Sequence, residues 1–273
     1  MAETLAHFTR ANDVETAIGR LAVWRAGAGK QTIVLWPSVF TDHAIFARLV
    51  QLLGSRFNFV AIDGPGHGAS GAAPSGFTMD ECAHAMLDVM NALTLETACM
   101  GGVSWGGMVA AHAARLAPTK ASHLVLINTP MLIGRSAPSF STRLMVNAAR
   151  YFVNKPFFQK GAAGGFFADP NPITNTYMKD YHAMLSAADA KALTLSVRSV
   201  MFAQSPVMDV LPHIQQPTLI VAGLEDALYP IKTMEQAADA LTNGQLVTVP
   251  GKHISTVDAP REVADAIDNF LKT

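Results

Sequence analysis

Only two cysteines, Cys82 and Cys99, occur among 273 residues. Two thiols cannot build a disulfide framework, and neither sits in a CxxC pair or in a cysteine and histidine cluster with metal-ligand spacing. Both are expected to be buried and reduced, with no metal and no cofactor. Charge is scarce as well: Asp, Glu, Lys and Arg make up 15% of the chain and leave a formal net charge of −1. That balance supplies no chain-wide basic field to hold nucleic acid or an anionic membrane surface. Long apolar runs are missing too, none approaching the roughly 18 residues of a membrane span. The opening residues, Met1-Ala2-Glu3-Thr4-Leu5-Ala6-His7, carry no basic stretch leading into an apolar one. The expectation is a cytoplasmic protein that engages neither nucleic acid nor membrane; a homo-oligomer is compatible with the composition.

Apolar residues, by contrast, make up half the chain, as suits strands buried on both faces. Short apolar runs at 32–35, 57–62, 97–100, 123–127, 218–222 and 246–249 read as such strands. Helical spacing separates them at 80–93, 107–116, 232–241 and 260–271, the last opened by Pro260. This alternation predicts an α/β fold, a mostly parallel central sheet with helices on both faces. Before it, residues 14–18 and 21–25 around Gly19 read as a hairpin, an antiparallel edge to the sheet. The alternation stops after Pro130 and resumes at Pro217. The chain thus divides into a core of residues 1–130 and 213–273 and an inserted lid of residues 131–212. The insertion is rich in Phe and Met, some of which should face the active site, and contains a Gly161-Ala162-Ala163-Gly164-Gly165 stretch read as flexible. It carries eight Lys or Arg against four Asp, an excess read as a solvated face or, alternatively, as attraction for a substrate bearing a carboxylate.

Chemistry is concentrated in Gly102-Val103-Ser104-Trp105-Gly106, set directly between a strand and a helix. A serine on so tight a turn needs glycines beside it so that strand and helix can approach, the context of a nucleophile elbow. A serine hydroxyl attacks poorly until a base takes its proton, and the base needs a carboxylate to fix its tautomer. Asp226 follows the 218–222 strand and His253 the 246–249 strand, so both lie at the same carboxyl edge of the sheet as Ser104. Glu225 is the competing acid, and none of the other histidines shares His253's position. The oxyanion needs two backbone N–H groups, assigned to Trp105 and, in the segment Trp36-Pro37-Ser38-Val39-Phe40-Thr41-Asp42, to Val39, with Ser38 the nearest competitor. Two decoys are set aside. Gly66, Gly68 and Gly71 fit GxGxxG, but Pro74 and Gly76 stand where a dinucleotide-binding helix would run; Gly27-Ala28-Gly29-Lys30 lacks the Ser or Thr of a phosphate loop.

Together with Asp63-Gly64-Pro65-Gly66-His67-Gly68-Ala69-Ser70, these features resemble the α/β-hydrolase superfamily across nearly the whole chain. The segment Pro37-Ser38-Val39-Phe40-Thr41-Asp42 is similar to the Asn-Ser-Leu-Gly-Thr-Asp pattern of 3-oxoadipate enol-lactonases, with Phe40 in place of the glycine. The resemblance implies a serine hydrolase that cleaves a small-molecule carboxylic ester or lactone through an acyl-serine intermediate. The same scaffold also carries C–C bond hydrolases and cofactor-free haloperoxidases, and a receptor with a silent triad is the alternative outside enzymes.

Overall fold

The computed structural model describes residues 8–134, 137, 139–168, 172–202 and 205–272. The N-terminal heptapeptide and Arg135, both used in the reading of the sequence, lie outside the described residues. Ten strands are present among them: β1 (Thr9–Arg10), β2 (Val14–Thr16), β3 (Gly19–Leu21), β4 (Val23–Gly27), β5 (Gln31–Trp36), β6 (Phe57–Ile62), β7 (Ala98–Val103), β8 (Ala121–Ile127), β9 (Thr218–Gly223) and β10 (Gly244–Val249). The helices of the core are α1 (Ala47–Leu53), α2 (Met79–Ala92) and α3 (Trp105–Leu116) before the insertion. The inserted helices are α4 (Phe140–Phe152), α5 (Pro156–Phe166), α6 (Pro172–Ala187), α7 (Ala190–Phe202) and the single turn α8 (Val207–Val210). After them come α9 (Ile231–Ala240), α10 (Ser255–Asp258) and α11 (Pro260–Phe270).

Eight strands form one sheet in the order β1-β4-β6-β5-β7-β8-β9-β10, parallel from β6 to β10 and antiparallel where β1 and β4 join its edge. The chain runs outward from β5 to β6 and returns past β5 to β7. That reversal leaves a crevice beyond the carboxyl ends of β5 and β7, where open α/β sheets bind ligands. β7 and β9 are buried at every residue, so both faces of the sheet are covered; α1 packs against α11 and α2 against α3. α2 begins where Thr78 and Glu81 form a reciprocal capping box, satisfying two N–H groups that the first turn would otherwise leave open.

The N-terminal hairpin is shorter than its sequence pattern predicts. β2 and β3 pair alone, Val14 opposite Leu21 and Thr16 opposite Gly19, while Val23–Gly27 leaves the hairpin to pair with β6. The break comes at Ala22, whose N–H is taken by Ser70 Oγ and whose carbonyl is taken by the Asp63 N–H. The glycine-rich stretch at 161–165 is also not a loop: it lies inside α5, entered through Pro156 at its first turn. No helix among the described residues is long and apolar enough to cross a membrane.

Candidate active site

Ser104 occupies the single residue between β7 and α3, with φ +55° and ψ −112°. A non-glycine residue held there stores roughly 1–3 kcal/mol of strain that its surroundings must impose. Close packing imposes it. A Cβ on Gly106 would lie 1.7 Å, and one on Gly102 2.2 Å, from the carbonyl oxygen of Trp36 in β5. The elbow therefore stands against the end of β5, and the serine is turned into the crevice above it.

His253 follows β10, and its Nδ1–H donates to Asp226 Oδ2 at 2.8 Å, which leaves Nε2 as the acceptor. Asp226, after β9, also accepts from the backbone N–H groups of Leu228 at 2.9 Å and Tyr229 at 3.3 Å. Burial opposes ionisation of this carboxyl, but the hydrogen bond and charge of His253, the Leu228 N–H and Asn128 outweigh it and hold it below the usual carboxylate range. Glu225, the competing acid, instead accepts from the Gly251 N–H at 3.2 Å. Ser104 and His253 line one cavity, with no direct hydrogen bond between them; such contacts often close only around a substrate.

Asn128, at the end of β8, stands at another common location for the triad acid; the sequence sets it aside there because it carries no charge, and assigns it no other role. Its backbone is left-handed, φ +46°. Its Nδ2 donates to Asp226 Oδ2 at 3.1 Å and its Oδ1 accepts from Ser255 Oγ at 2.6 Å. Its bond is aimed at the same carboxylate oxygen that receives His253, so it positions the acid. A residue that is neither charged nor part of a motif gives no signal beyond its place at a strand end.

Val39 and Trp105 line the same cavity as Ser104. Trp105 is the first residue of α3, so its N–H has no partner within the helix. Beyond Val39 the chain bends through Phe40 at φ +60°, the region that glycine, found here in the enol-lactonase pattern, enters freely. Two contacts hold Phe40 there. Its N–H donates to His67 Nε2 at 3.0 Å, and its ring packs on Phe158 and Phe166 at 5.9 and 6.3 Å. His67 donates its Nδ1–H to the Pro65 carbonyl at 3.0 Å; burial lowers its pKa, and a ring with one donor and one acceptor engaged is neutral. His67 thus has no free nitrogen to act as a base.

The same loop ends on Asp42, whose side chain accepts from the Ala44 N–H at 3.0 Å. Burial and the neighbouring Asp63 carboxylate push its pKa up from 3.8 to about 6, against the lowering effect of His43 and the cap. An acid raised on folding costs stability above its folded pKa, and the cost fades as pH falls toward the unfolded value. Asp42→Asn keeps the cap acceptor, so it is expected to melt at a higher temperature than the wild type at pH 8. The difference should close between pH 6 and pH 4. Thermal unfolding at the three pH values checks this; equal melting temperatures at pH 8 would show that ionised Asp42 costs nothing.

The cavity, about 710 Å³, is apolar: Phe158, Phe166, Met108, Val197 and Met201 wall it, and Ser104, Thr142, Tyr229 and His253 are its polar residues. Among the described residues no Lys or Arg lines it, so the insertion's basic excess makes no direct contact for a carboxylate there. Arg150, Lys191 and Arg198 line a separate depression between α4 and α7. Charge counted by segment does not say which face of a helix carries it.

A protein-family profile described as alpha/beta hydrolase fold matches residues 31–260. The chain is 26% identical to a 3-oxoadipate enol-lactonase of Acinetobacter baylyi over 88% of each chain. It is likewise 26% identical to a pimeloyl-[acyl-carrier protein] methyl ester esterase of Chromobacterium violaceum, over 84% of this chain and 89% of that one. The enol-lactonase structure from Burkholderia xenovorans LB400 superimposes with a TM-score of 0.87 at 21% identity, covering 96% of this chain and all of that one. At that identity the superposition speaks for the fold.

Proposed function

The chain belongs to the alpha/beta hydrolase fold family, and we propose that it hydrolyses a neutral, apolar carboxylic ester or lactone through an acyl-Ser104 intermediate. As Ser104 Oγ attacks the carbonyl carbon, His253 Nε2 takes its proton and Asp226 steadies the imidazolium. The N–H groups of Val39 and Trp105 receive the developing oxyanion. Collapse expels the alcohol, protonated by His253; water then attacks the acyl group as His253 takes its proton, and breakage of the bond to Ser104 Oγ, which receives that proton back from His253, releases the acid. The inserted helices act as the lid over this site.

The observation that carries this reading is the meeting of a strained Ser104 and an Asp226-anchored His253 on one apolar cavity. The names of the relatives, a lactonase and a methyl ester esterase, agree with the ester or lactone class. The neutral preference follows from the lining, because a carboxylate buried without a partner costs several kcal/mol.

A nitrophenyl ester with an apolar acyl chain tests both halves. A burst of one phenolate per chain is expected, and kcat/KM for an ester ending in a methyl-capped carboxyl should exceed that of the free carboxylate by at least about tenfold. Equal rates for the matched pair, or preference for the carboxylate, would remove the apolar class; absence of any hydrolysis across the ester series would remove the reaction.

A further inference from the structure

The outer surface of α4 and α5 is apolar where a soluble helix is ordinarily polar. Phe140, Leu144 and Tyr151 of α4 stand 82%, 60% and 69% exposed, and Phe157 of α5 stands 65% exposed. Their spacing along α4 places the first three on one stripe. Phe152 continues the stripe, its ring 6.4 Å from Tyr151 and 5.4 Å from Phe157. Phe157 and the half-exposed Met145 also line the cavity that holds Ser104. The exposed face therefore runs without interruption into the mouth of the pocket.

Arg150, Lys155 and Lys160 are exposed on the same two helices and the turn between them. The sequence holds no Asp or Glu from Glu96 to Asp169, so these cations have no anion on their own elements. A second copy of the chain is a poor occupant, because a symmetric contact would bring two such sets of like charge together. An anionic bilayer suits both components: aromatic and leucine side chains enter the boundary between headgroups and acyl chains, while Lys and Arg meet the headgroup charge.

We infer that the α4–α5 face docks on the surface of an anionic lipid bilayer and admits apolar substrate from it to the pocket. The docking stands on the surface alone; the admission of substrate rests on the ester-hydrolase reading. The net charge of −1, which argued against such a partner, averages over this face and conceals it.

Flotation of the full chain with vesicles of phosphatidylcholine, alone or mixed with phosphatidylglycerol, tests the docking. Association is expected with the mixed vesicles and not with phosphatidylcholine alone, and it should weaken about fivefold for each of Arg150→Gln and Lys155→Gln. The triple variant Phe140→Ser, Leu144→Ser, Tyr151→Ser should lose it while keeping wild-type kcat/KM on a short, water-soluble ester, since none of the three lines the pocket. Equal binding to both vesicle types, or full binding by the triple variant, would overturn the inference. A dimer in sedimentation equilibrium that the same triple variant dissolves would assign the face to a second copy and overturn it equally. Ser104→Ala should float as the wild type does, so the binding result is read independently of the chemistry.

Discussion

Replacing Ser104 by alanine is expected to lower kcat by about 10⁶, the scale on which the nucleophile of a serine triad acts. The residual rate would come from the oxyanion donors and from binding. Little should change in the fold, because the elbow is set by the approach of Gly102 and Gly106 to Trp36 and not by the hydroxyl, which no other side chain needs. A fluorophosphonate probe should in parallel form one adduct, on Ser104, in the wild type and none in the variant. Labelling of a different serine, or a variant that keeps a tenth of its activity, would end the assignment of Ser104 as nucleophile.

Asp226→Asn should cost about 10⁴ in kcat. An amide at this position can still accept the Leu228 N–H, so the turn after β9 survives. What it cannot do is accept from His253 Nδ1 with either amide orientation without loss: with its nitrogen toward the ring it drives the proton to Nε2, the atom that must take the Ser104 proton. Asn128 already donates to the same oxygen and would then face a second donor. Glu225→Gln is the matched control, and it should stay close to wild type because Glu225 reaches the Gly251 N–H and not the imidazole. Circular dichroism on both variants separates a lost tautomer from a lost fold. If Glu225→Gln is the inactive one, the two acids exchange roles.

The strands that place these groups were legible because a strand buried on both faces must be a short apolar run, and the runs at β5 to β10 end within a few residues of their predicted limits. The shared edge of Ser104, Asp226 and His253 was legible for a related reason: in a parallel sheet each βα turn emerges at the same edge, so order along the chain implies nearness in space. Asn128, Phe40 and His67 were not. Their contributions depend on positive φ at two backbone positions and on a hydrogen bond from Phe40 to a loop residue far along the chain, and no periodicity encodes either. The glycine stretch at 161–165 misled for the opposite reason. Its composition is that of a linker, yet Phe158 and Phe166, one on each side of it, pack on Phe40 of the core, and such tertiary contacts outweigh the roughly 1 kcal/mol that each helical glycine costs relative to alanine.

Those glycines bear on how this hydrolase-fold scaffold can diversify. Gly161 and Gly165 line the pocket from α5, and a Cβ added at either would meet nothing within 4 Å beyond its own stretch of helix. They are open ground on the cavity wall: a methyl, isopropyl or phenyl group there would take up pocket volume while leaving the sheet edge that bears Ser104, Asp226 and His253 untouched. On the proposed reaction, substrate range and bond-breaking residues would lie in different stretches of the gene, and drift in one helix would divide a homologous series of esters among paralogues that share the chemistry.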